Sequence, residues 1–153
     1  MVRVVATGVF DIIHLGHVHF LEKAKDLGDE LVVIVARDRT ARKMKHDPIT
    51  PEGMRVELVQ SLKPVDRAVL GYEDDMYRII SEVRPDIIAL GYDQKFDEKE
   101  LGRELKKRGL TVRIVRLPHL DHDLDGTRKI IRRIVDWNFA QQKLKEAEGA
   151  KKK

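Results

Sequence analysis

Two histidines, His14 and His17, stand three residues apart in the turn that follows the first predicted strand. The turn leads into a helical pattern, and the free N–H groups and the dipole at a helix start favour an anion. Residues three apart lie on one helix face, so both rings can donate hydrogen bonds to the same phosphate. Gly16 lets a ligand approach the backbone closely. The spacing therefore predicts a phosphate site.

Other phosphate and metal motifs fit this turn less well. No Gly-x-Gly-x-x-Gly follows the strand, and the Gly-Lys-Ser/Thr of a Walker P-loop is missing. A zinc site at the two histidines stays open, although the glutamate of the helix-borne zinc motif is absent and the spacing alone is unspecific. Histidines that only cap a surface helix are a further alternative. No metal site is predicted by direct motif.

Strands and helices alternate along the chain, which predicts a parallel sheet with helices on both faces. The predicted strands are 3–7, 31–36, 67–70, 86–90 and 111–117. Helices are predicted to end at Gly28, to start at 50–52, to cover 74–83 and 97–108, and to start near Asp125. The basic segment Arg37–Pro48 has no apolar period and is predicted as a loop. Ligands of such sheets bind at the carboxyl ends of the strands, near the topological switch point.

Composition limits the classes of protein. The 153 residues contain no cysteine, which excludes disulfides, thiolate metal sites and a cysteine nucleophile. No apolar run approaches the roughly 20 residues that cross a bilayer, and the N-terminal segment is typical of a strand rather than a signal peptide. We therefore expect a cytoplasmic protein with one domain, residues 1–140. A charged tail, residues 141–153, is expected to be a solvated, frayed terminus rather than a nucleic-acid arm.

The whole turn resembles the signature of the cytidylyltransferase-like nucleotidyltransferase superfamily. The matching pattern is Gly8-x-Phe10-Asp11-x-x-His14-x-Gly16-His17. The resemblance implies an α/β fold, a single Rossmann-like doubly wound domain with a five-stranded parallel sheet of the nucleotidyltransferase type. It also implies that His14 and His17 are the catalytic pair, which binds the nucleoside triphosphate and stabilises the transition state at its α-phosphate. The nucleotide pocket would further include Gly8, Val9, Phe10, Leu15 and Gly16.

Later segments are similar to those of archaeal FAD synthases. They are Val35-Ala36-Arg37-Asp38, Pro51-Glu52 with Arg55, and the stretches 65–71 and 85–94. The similarity extends over roughly residues 2 to 134 and implies transfer of AMP from ATP to FMN, which gives FAD and pyrophosphate. Asp93 would bind the nucleotide near its ribose or base. The resemblance suggests a homodimer, and the chemistry suggests Mg²⁺, or another divalent cation, on the triphosphate of ATP.

A second family signature is a serine- and threonine-rich turn that opens the last helix. Here the turn is Asp125-Gly126-Thr127-Arg128-Lys129-Ile130, which keeps one hydroxyl. By the resemblance, Thr127 and Arg128 would bind the nucleotide, and the arginine could supply charge in place of hydroxyls.

Several residues have two interpretations each. The basic segment could fold over pyrophosphate or the acceptor phosphate, with Lys43 and Arg55 as the predicted acceptor or phosphate contacts, or it could be solvated. Asp11 either orients the histidine turn or is a turn aspartate. The other candidates follow strands and could line a flavin pocket or simply pack: Tyr72, Tyr92, Phe96, His119 and His122.

Three other functions stay open. A CTP-dependent cytidylyltransferase that acts on glycerol 3-phosphate or a similar phospho-alcohol shares the histidine motif. A nucleotide-binding module without turnover is kept open by the altered turn at 125–130. A nucleic-acid binder would fit the net charge of +4, although we expect neither nucleic acid nor membrane as a partner.

Overall fold

Five strands and six helices alternate in the computed structural model, which describes residues 1–119 and 126–152. The strands are β1 (Arg3–Gly8), β2 (Glu30–Val35), β3 (Arg67–Leu70), β4 (Ile87–Leu90) and β5 (Arg113–Arg116). The helices are α1 (Leu15–Lys25), α2 (Asp38–Met44), α3 (Glu52–Gln60), α4 (Met76–Val83), α5 (Glu98–Lys107) and α6 (Thr127–Lys151).

All five strands are parallel, in the order β3-β2-β1-β4-β5. The chain builds one half of the sheet outward from β1, then returns to the other side of β1 to add β4 and β5. The order therefore reverses between β1 and β4, where Val5 pairs with Val32 on one side and Ile88 on the other. The predicted α/β fold with a five-stranded parallel sheet is confirmed, and the histidine turn follows the strand beside the switch point.

The core has two layers because successive side chains of a strand point to opposite faces. Val4 and Ala6 of β1 belong to the layer that packs against α1 and α3, which contribute Leu21 and Val59. Val5 belongs to the opposite layer, whose other members include Ile80 of α4 and Leu105 of α5. The sheet is thus covered on both faces, and the carboxyl ends of its strands are left to form a site.

The predicted helix starts at Asp75 and Asp97 are confirmed, because both side chains cap helices. Asp75 accepts a hydrogen bond from the backbone N–H of Tyr77 at 2.9 Å. Asp97 accepts from those of Lys99 and Glu100 at 2.9 and 3.2 Å. Each carboxylate satisfies amide groups that have no partner within the helix.

The segment predicted as a loop, Arg37–Pro48, contains α2. Its helix is seven residues long, and Ala41 is its one buried residue. A helix that buries a single side chain shows no repeat of apolar residues in its sequence, so the pattern does not predict it. The prediction of a loop is therefore wrong for residues 38–44.

The last helix, α6, extends from Thr127 to Lys151 and passes the predicted boundary at residue 140 without a break. The expectation of a frayed terminus is wrong up to Lys151, because residues 141–151 are rich in alanine, glutamate, glutamine and lysine, which are good helix formers. Trp137 and Phe139 are exposed on this helix. In the part of the chain that the structure describes, no helix combines the length and apolar character needed to cross a membrane.

Candidate functional site

The turn from Val9 to Ile13, with His14 as the N-cap of α1, adopts an unusual backbone conformation. Phe10 and Ile12 have φ values of 56° and 51°, in the left-handed region that residues other than glycine rarely adopt. Such residues cost on the order of 1–3 kcal/mol each and persist only where their surroundings hold them. A Cβ at Gly8 would lie 2.8 Å from the Phe10 ring, so the glycine makes room for that ring.

Asp11 ties the turn to the segment before α3. Its buried carboxylate accepts hydrogen bonds from the N–H of Ile49 at 2.7 Å, the N–H of Thr50 at 2.9 Å and the hydroxyl of Thr50 at 2.6 Å. Burial raises the pKa of Asp11, but these hydrogen bonds and the charge of Arg55 outweigh it and hold the pKa below its usual value. The hydrogen bonds of the charged carboxylate thus fix the histidine turn against residues 49 and 50.

The two histidines lie against each other at the start of α1. The backbone N–H of His14 donates to Nδ1 of His17 at 3.3 Å, and the ring centroids are 3.8 Å apart. Burial, together with the charges of His14 and Lys45, lowers the pKa of His17 to about 3, although the charge of Asp11 acts in the opposite direction. His17 is therefore neutral near pH 7. Because its Nδ1 accepts a hydrogen bond, the proton is assigned to Nε2, which can donate to a phosphate oxygen.

Lys45 directly follows α2 and belongs to the basic segment that is predicted either to fold over a phosphate or to be solvated, but it is not one of the two predicted contacts, Lys43 and Arg55. Its charge acts on His17, whereas the predicted contact Lys43 is exposed on α2. The sequence shows that the segment is basic. Which of its positive charges acts most on His17 depends on the path of the chain through α2. Lys45 therefore joins the candidate phosphate contacts.

The structure differs from the prediction that Arg55 contacts a phosphate. Its side chain is fully buried. Its guanidinium donates to the carbonyls of Thr50, Val9 and Ala36 at 2.9, 2.7 and 2.7 Å, and to Asp38 Oδ1 at 2.7 Å. Arg55 thus joins α3 to the ends of β1 and β2 and to α2, and its donors serve the protein rather than a ligand.

The start of α6 meets the histidine turn. The hydroxyl of Thr127 donates to the backbone carbonyl of Asp11 at 2.5 Å. Arg128, the next residue, lines an open groove that His46 also borders. The two predicted signatures therefore come together in space, while His122 and Asp125 lie outside the described residues.

The loop after β4 carries Asp93 to the same edge of the sheet. The Gln94 side chain bridges two strand ends, since its Oε1 accepts from the Gly91 N–H at 2.7 Å and its Nε2 donates to the Thr7 carbonyl at 2.9 Å. A Cβ at Gly91 would lie 3.5 Å from Asp93 Oδ1, so this carboxylate lies over the end of β4. The loop thus lies across the crevice at the carboxyl ends of β1 and β4.

A cavity of about 300 Å³ opens beside this crevice, between α2, α4 and the strand ends. Its wall is mostly apolar and has the following members: Thr7, Gly8, Val9, Ile34, Ala36, Arg37, Thr40, Met44, Gly71, Tyr72, Met76, Ile79, Ile80, Gln94 and Phe96. Of the predicted aromatic residues, Tyr72 and Phe96 lie in this wall, whereas Tyr92 contacts His119 with ring centroids 4.1 Å apart.

The predicted pocket residues of the histidine turn and its flanks differ in their surroundings. Gly8 and Val9 line the cavity, and Phe10 is buried with its ring 5.4 Å from that of His17. Leu15 is exposed, and Gly16 lies between the histidines in the first turn of α1. Within residues 1–119 and 126–152, no group of three or more histidine, aspartate or glutamate side chains is arranged to hold a metal ion.

Comparisons with known proteins agree with this geometry. The model of the cytidylyltransferase-like family matches residues 5–146. An FAD synthase of Aciduliprofundum boonei is 65% identical over 137 residues, which cover 89% of this chain and 92% of the relative. An FAD synthase of Ferroglobus placidus is 53% identical over 154 residues, which cover 100% of this chain and 99% of the relative. A crystal structure from Thermoplasma volcanium, described as a lipopolysaccharide core biosynthesis protein, is 60% identical with a TM-score of 0.78. It covers 79% of this chain and 99% of that one.

Proposed function

Since this chain belongs to the cytidylyltransferase-like family of nucleotidyltransferases, we propose that it is an FMN adenylyltransferase, which makes FAD and pyrophosphate from FMN and ATP. The family predicted from the histidine turn is confirmed. Relatives that are 52–65% identical over most of the chain are FAD synthases, and this supports ATP and FMN as the substrates. The CTP-dependent alternative is not favoured by these relatives.

The apolar cavity beside the histidine turn is the observation that favours FMN as the acceptor of the AMP group. FMN joins a flat, largely apolar ring system to a phosphate, and the ring needs an apolar surface to lie on. The cavity offers Tyr72, Phe96 and Ile79 next to a phosphate site. A glycerol phosphate has no such ring, so it would leave this surface uncovered.

The reaction itself needs positioned donors rather than a covalent intermediate. An oxygen of the FMN phosphate attacks the α-phosphorus of ATP, and the bond between that phosphorus and the pyrophosphate oxygen breaks. His14 and His17 would stabilise the charge that develops on the α-phosphate oxygens, since donors fixed before the reaction need no reorganisation. His17 suits this role because it is neutral and its Nδ1 is already occupied.

The remaining predicted residues would bind the ends of the triphosphate and the nucleoside. The start of α6 supplies Thr127 and Arg128 beside the turn, and Lys45 adds a positive charge near His17. Asp93, over the end of β4, would accept hydrogen bonds from the ribose or the base. Lys43 stays a candidate only as an exposed contact of the acceptor phosphate.

A divalent cation such as Mg²⁺ would be held by the triphosphate more than by the protein. The Asp11 carboxylate is occupied by three hydrogen bonds, so it is poorly suited as a ligand. Mg²⁺ commonly binds substrate phosphates with few protein ligands and keeps several waters. Bound in this way, the cation would neutralise charge on the leaving pyrophosphate.

We also propose that the protein works as a cytoplasmic homodimer and that residues 1–140 form its catalytic part. The use of ATP as a substrate supports a location in the cytoplasm, because ATP is available there. The exposed apolar side chains of α6, which include Trp137, Phe139 and Leu144, support a contact with a second copy.

The direct test is incubation of the protein with Mg²⁺, FMN and either ATP or CTP, followed by chromatographic separation of the flavins. We expect FAD and pyrophosphate with ATP. A CDP-alcohol formed from CTP and glycerol 3-phosphate, with no FAD from ATP, would overturn the proposal. Flavin and ATP binding without pyrophosphate release would instead indicate a binding module.

A further inference from the structure

One arginine at the end of β5 organises the entire loop after β4. The guanidinium of Arg116 donates to the carbonyls of Gly91, Gln94 and Phe96 at 2.9, 2.8 and 2.9 Å. Its Nε donates to Glu98 Oε1 at 2.9 Å, in the first turn of α5. The four acceptors span the loop from Gly91, the first residue after β4, to Glu98, the first residue of α5.

The loop needs this donor because it leaves the sheet. Its carbonyls no longer face a neighbouring strand, and partly buried carbonyls require hydrogen-bond donors from elsewhere. Within the loop, the Gln94 N–H donates to the Gly91 carbonyl and the Phe96 N–H donates to the Gln94 carbonyl. Each of these two carbonyl oxygens can still accept a second hydrogen bond. A planar guanidinium has five N–H groups and can donate to several separated acceptors at once. The compact ammonium group of a lysine cannot reach the same acceptors together.

The same loop borders both parts of the proposed site. Gln94 and Phe96 lie in the wall of the apolar cavity, and Gln94 also bridges Gly91 and Thr7 across the crevice. Asp93, between these wall residues and β4, lies over the strand end where the nucleotide would bind. A shift of the loop would therefore displace the flavin wall and the nucleotide contact together.

We infer that Arg116 is a positioning residue that holds the Gly91–Phe96 loop as a wall shared by the FMN and ATP sites. The inference rests on the proposed function, because it assigns the two sides of the loop to those substrates. Arg116 acts through the backbone of the loop and touches neither reacting atom. Its removal should weaken the binding of both substrates, whereas loss of a contact specific to one site should weaken one.

The test compares the steady-state kinetics of R116M with those of the unchanged protein. Methionine keeps the unbranched apolar stem and removes every donor. We expect the KM values for FMN and for ATP each to rise about tenfold, equivalent to about 1.4 kcal/mol of binding lost on each side of the displaced loop. A purely structural role predicts a different result, because a partly unfolded sample loses kcat in proportion to its active fraction and keeps its KM values.

Three further variants complete the design. R113M removes an exposed arginine at the other end of β5 and should leave both KM values unchanged. E98Q removes the charge of one acceptor but spares the three carbonyl bonds, so it should change both KM values little. R116K keeps the positive charge and should give intermediate KM values. It also carries the test if R116M does not fold.

The possible outcomes separate the inference from the proposed function. If the unchanged protein forms no FAD, the proposed function fails. If it forms FAD and R116M keeps both KM values within twofold, the inference fails and the function stands. A rise in one KM alone, or equal rises in R113M, would also overturn the shared wall.

Discussion

The backbone N–H of His14 donates to Nδ1 of His17 at 3.3 Å, and the two rings stack with centroids 3.8 Å apart. This contact assigns the His17 proton to Nε2 and leaves Nδ1 without any role toward a ligand. The pair is thus fixed as a unit before substrate binds, which is the condition for efficient stabilisation of a developing charge.

Replacement of either histidine by alanine should abolish most turnover. We expect kcat to fall by about 10²–10³ in His14→Ala and in His17→Ala, because each change removes one donor from the transition state. The measurement is pyrophosphate release with FMN and ATP, together with circular dichroism to verify folding. His19→Gln, on the same helix, is the matched control and should keep its activity. Equal losses in all three variants would argue against a specific role for the pair.

The lowered pKa of His17 predicts how stability depends on pH. Between its ordinary pKa of 6.5 and the folded value of about 3, the unfolded chain binds a proton at this residue that the folded protein does not. The free energy of unfolding should therefore fall as the pH drops through this window, by up to about 1.4 kcal/mol per pH unit.

The variant His17→Gln has no such group and should show a shallower decline of stability. Guanidinium unfolding at several values between about pH 4 and pH 6 measures both slopes. Because the other titrating groups are common to both proteins, the difference isolates His17. Parallel slopes would mean that the ring is protonated in the folded protein.

The apolar cavity can be tested by filling it. Ala36 lies in its wall, so Ala36→Phe should place a ring where we expect the flavin. We predict that the KM for FMN rises tenfold or more, equivalent to at least about 1.4 kcal/mol of binding, while the KM for ATP stays unchanged. Ala36→Ser adds a single oxygen and serves as the control. An increase in the KM for ATP alone would show that the cavity belongs to the nucleotide.

The buried Arg55 should matter for folding rather than for phosphate binding. Arg55→Met leaves Asp38 and the carbonyls of Val9 and Ala36 without their donor, and loss of one partner of a buried charged pair costs about 3–5 kcal/mol. We expect lower stability in denaturant unfolding as the main effect. Arg55→Lys, which keeps the charge, should be less destabilised. A raised KM at full stability would restore the original phosphate-contact prediction.

The strands and the helix starts could be read from the sequence because their causes are local. β3 was predicted at its observed bounds, 67–70, since a short apolar run stands between Asp66 and Gly71. Caps such as Asp75 and Asp97 act on amides two or three residues away. The sheet then followed from the alternation of these elements.

Other features depend on contacts that no local pattern contains. Arg55 looked like a free cation, and its burial results from α3 packing against the ends of β1 and β2. Arg116 carried no signal at all, because its acceptors are backbone carbonyls 20 to 25 residues earlier. The composition of residues 141–151 favours a helix, whereas their charge and terminal position favour a solvated end, and the helix prevails up to Lys151.

The bond between Thr127 and the carbonyl of Asp11 has a consequence for synthesis of the protein. The two residues are 116 positions apart, so the histidine turn leaves the ribosome long before the residue that completes its contacts. Domains commonly begin to fold during synthesis, and the sheet can form from residues that precede α6. A nascent chain could thus be folded yet inactive, and a ribosome stalled before Thr127 would display a sheet without a finished active site.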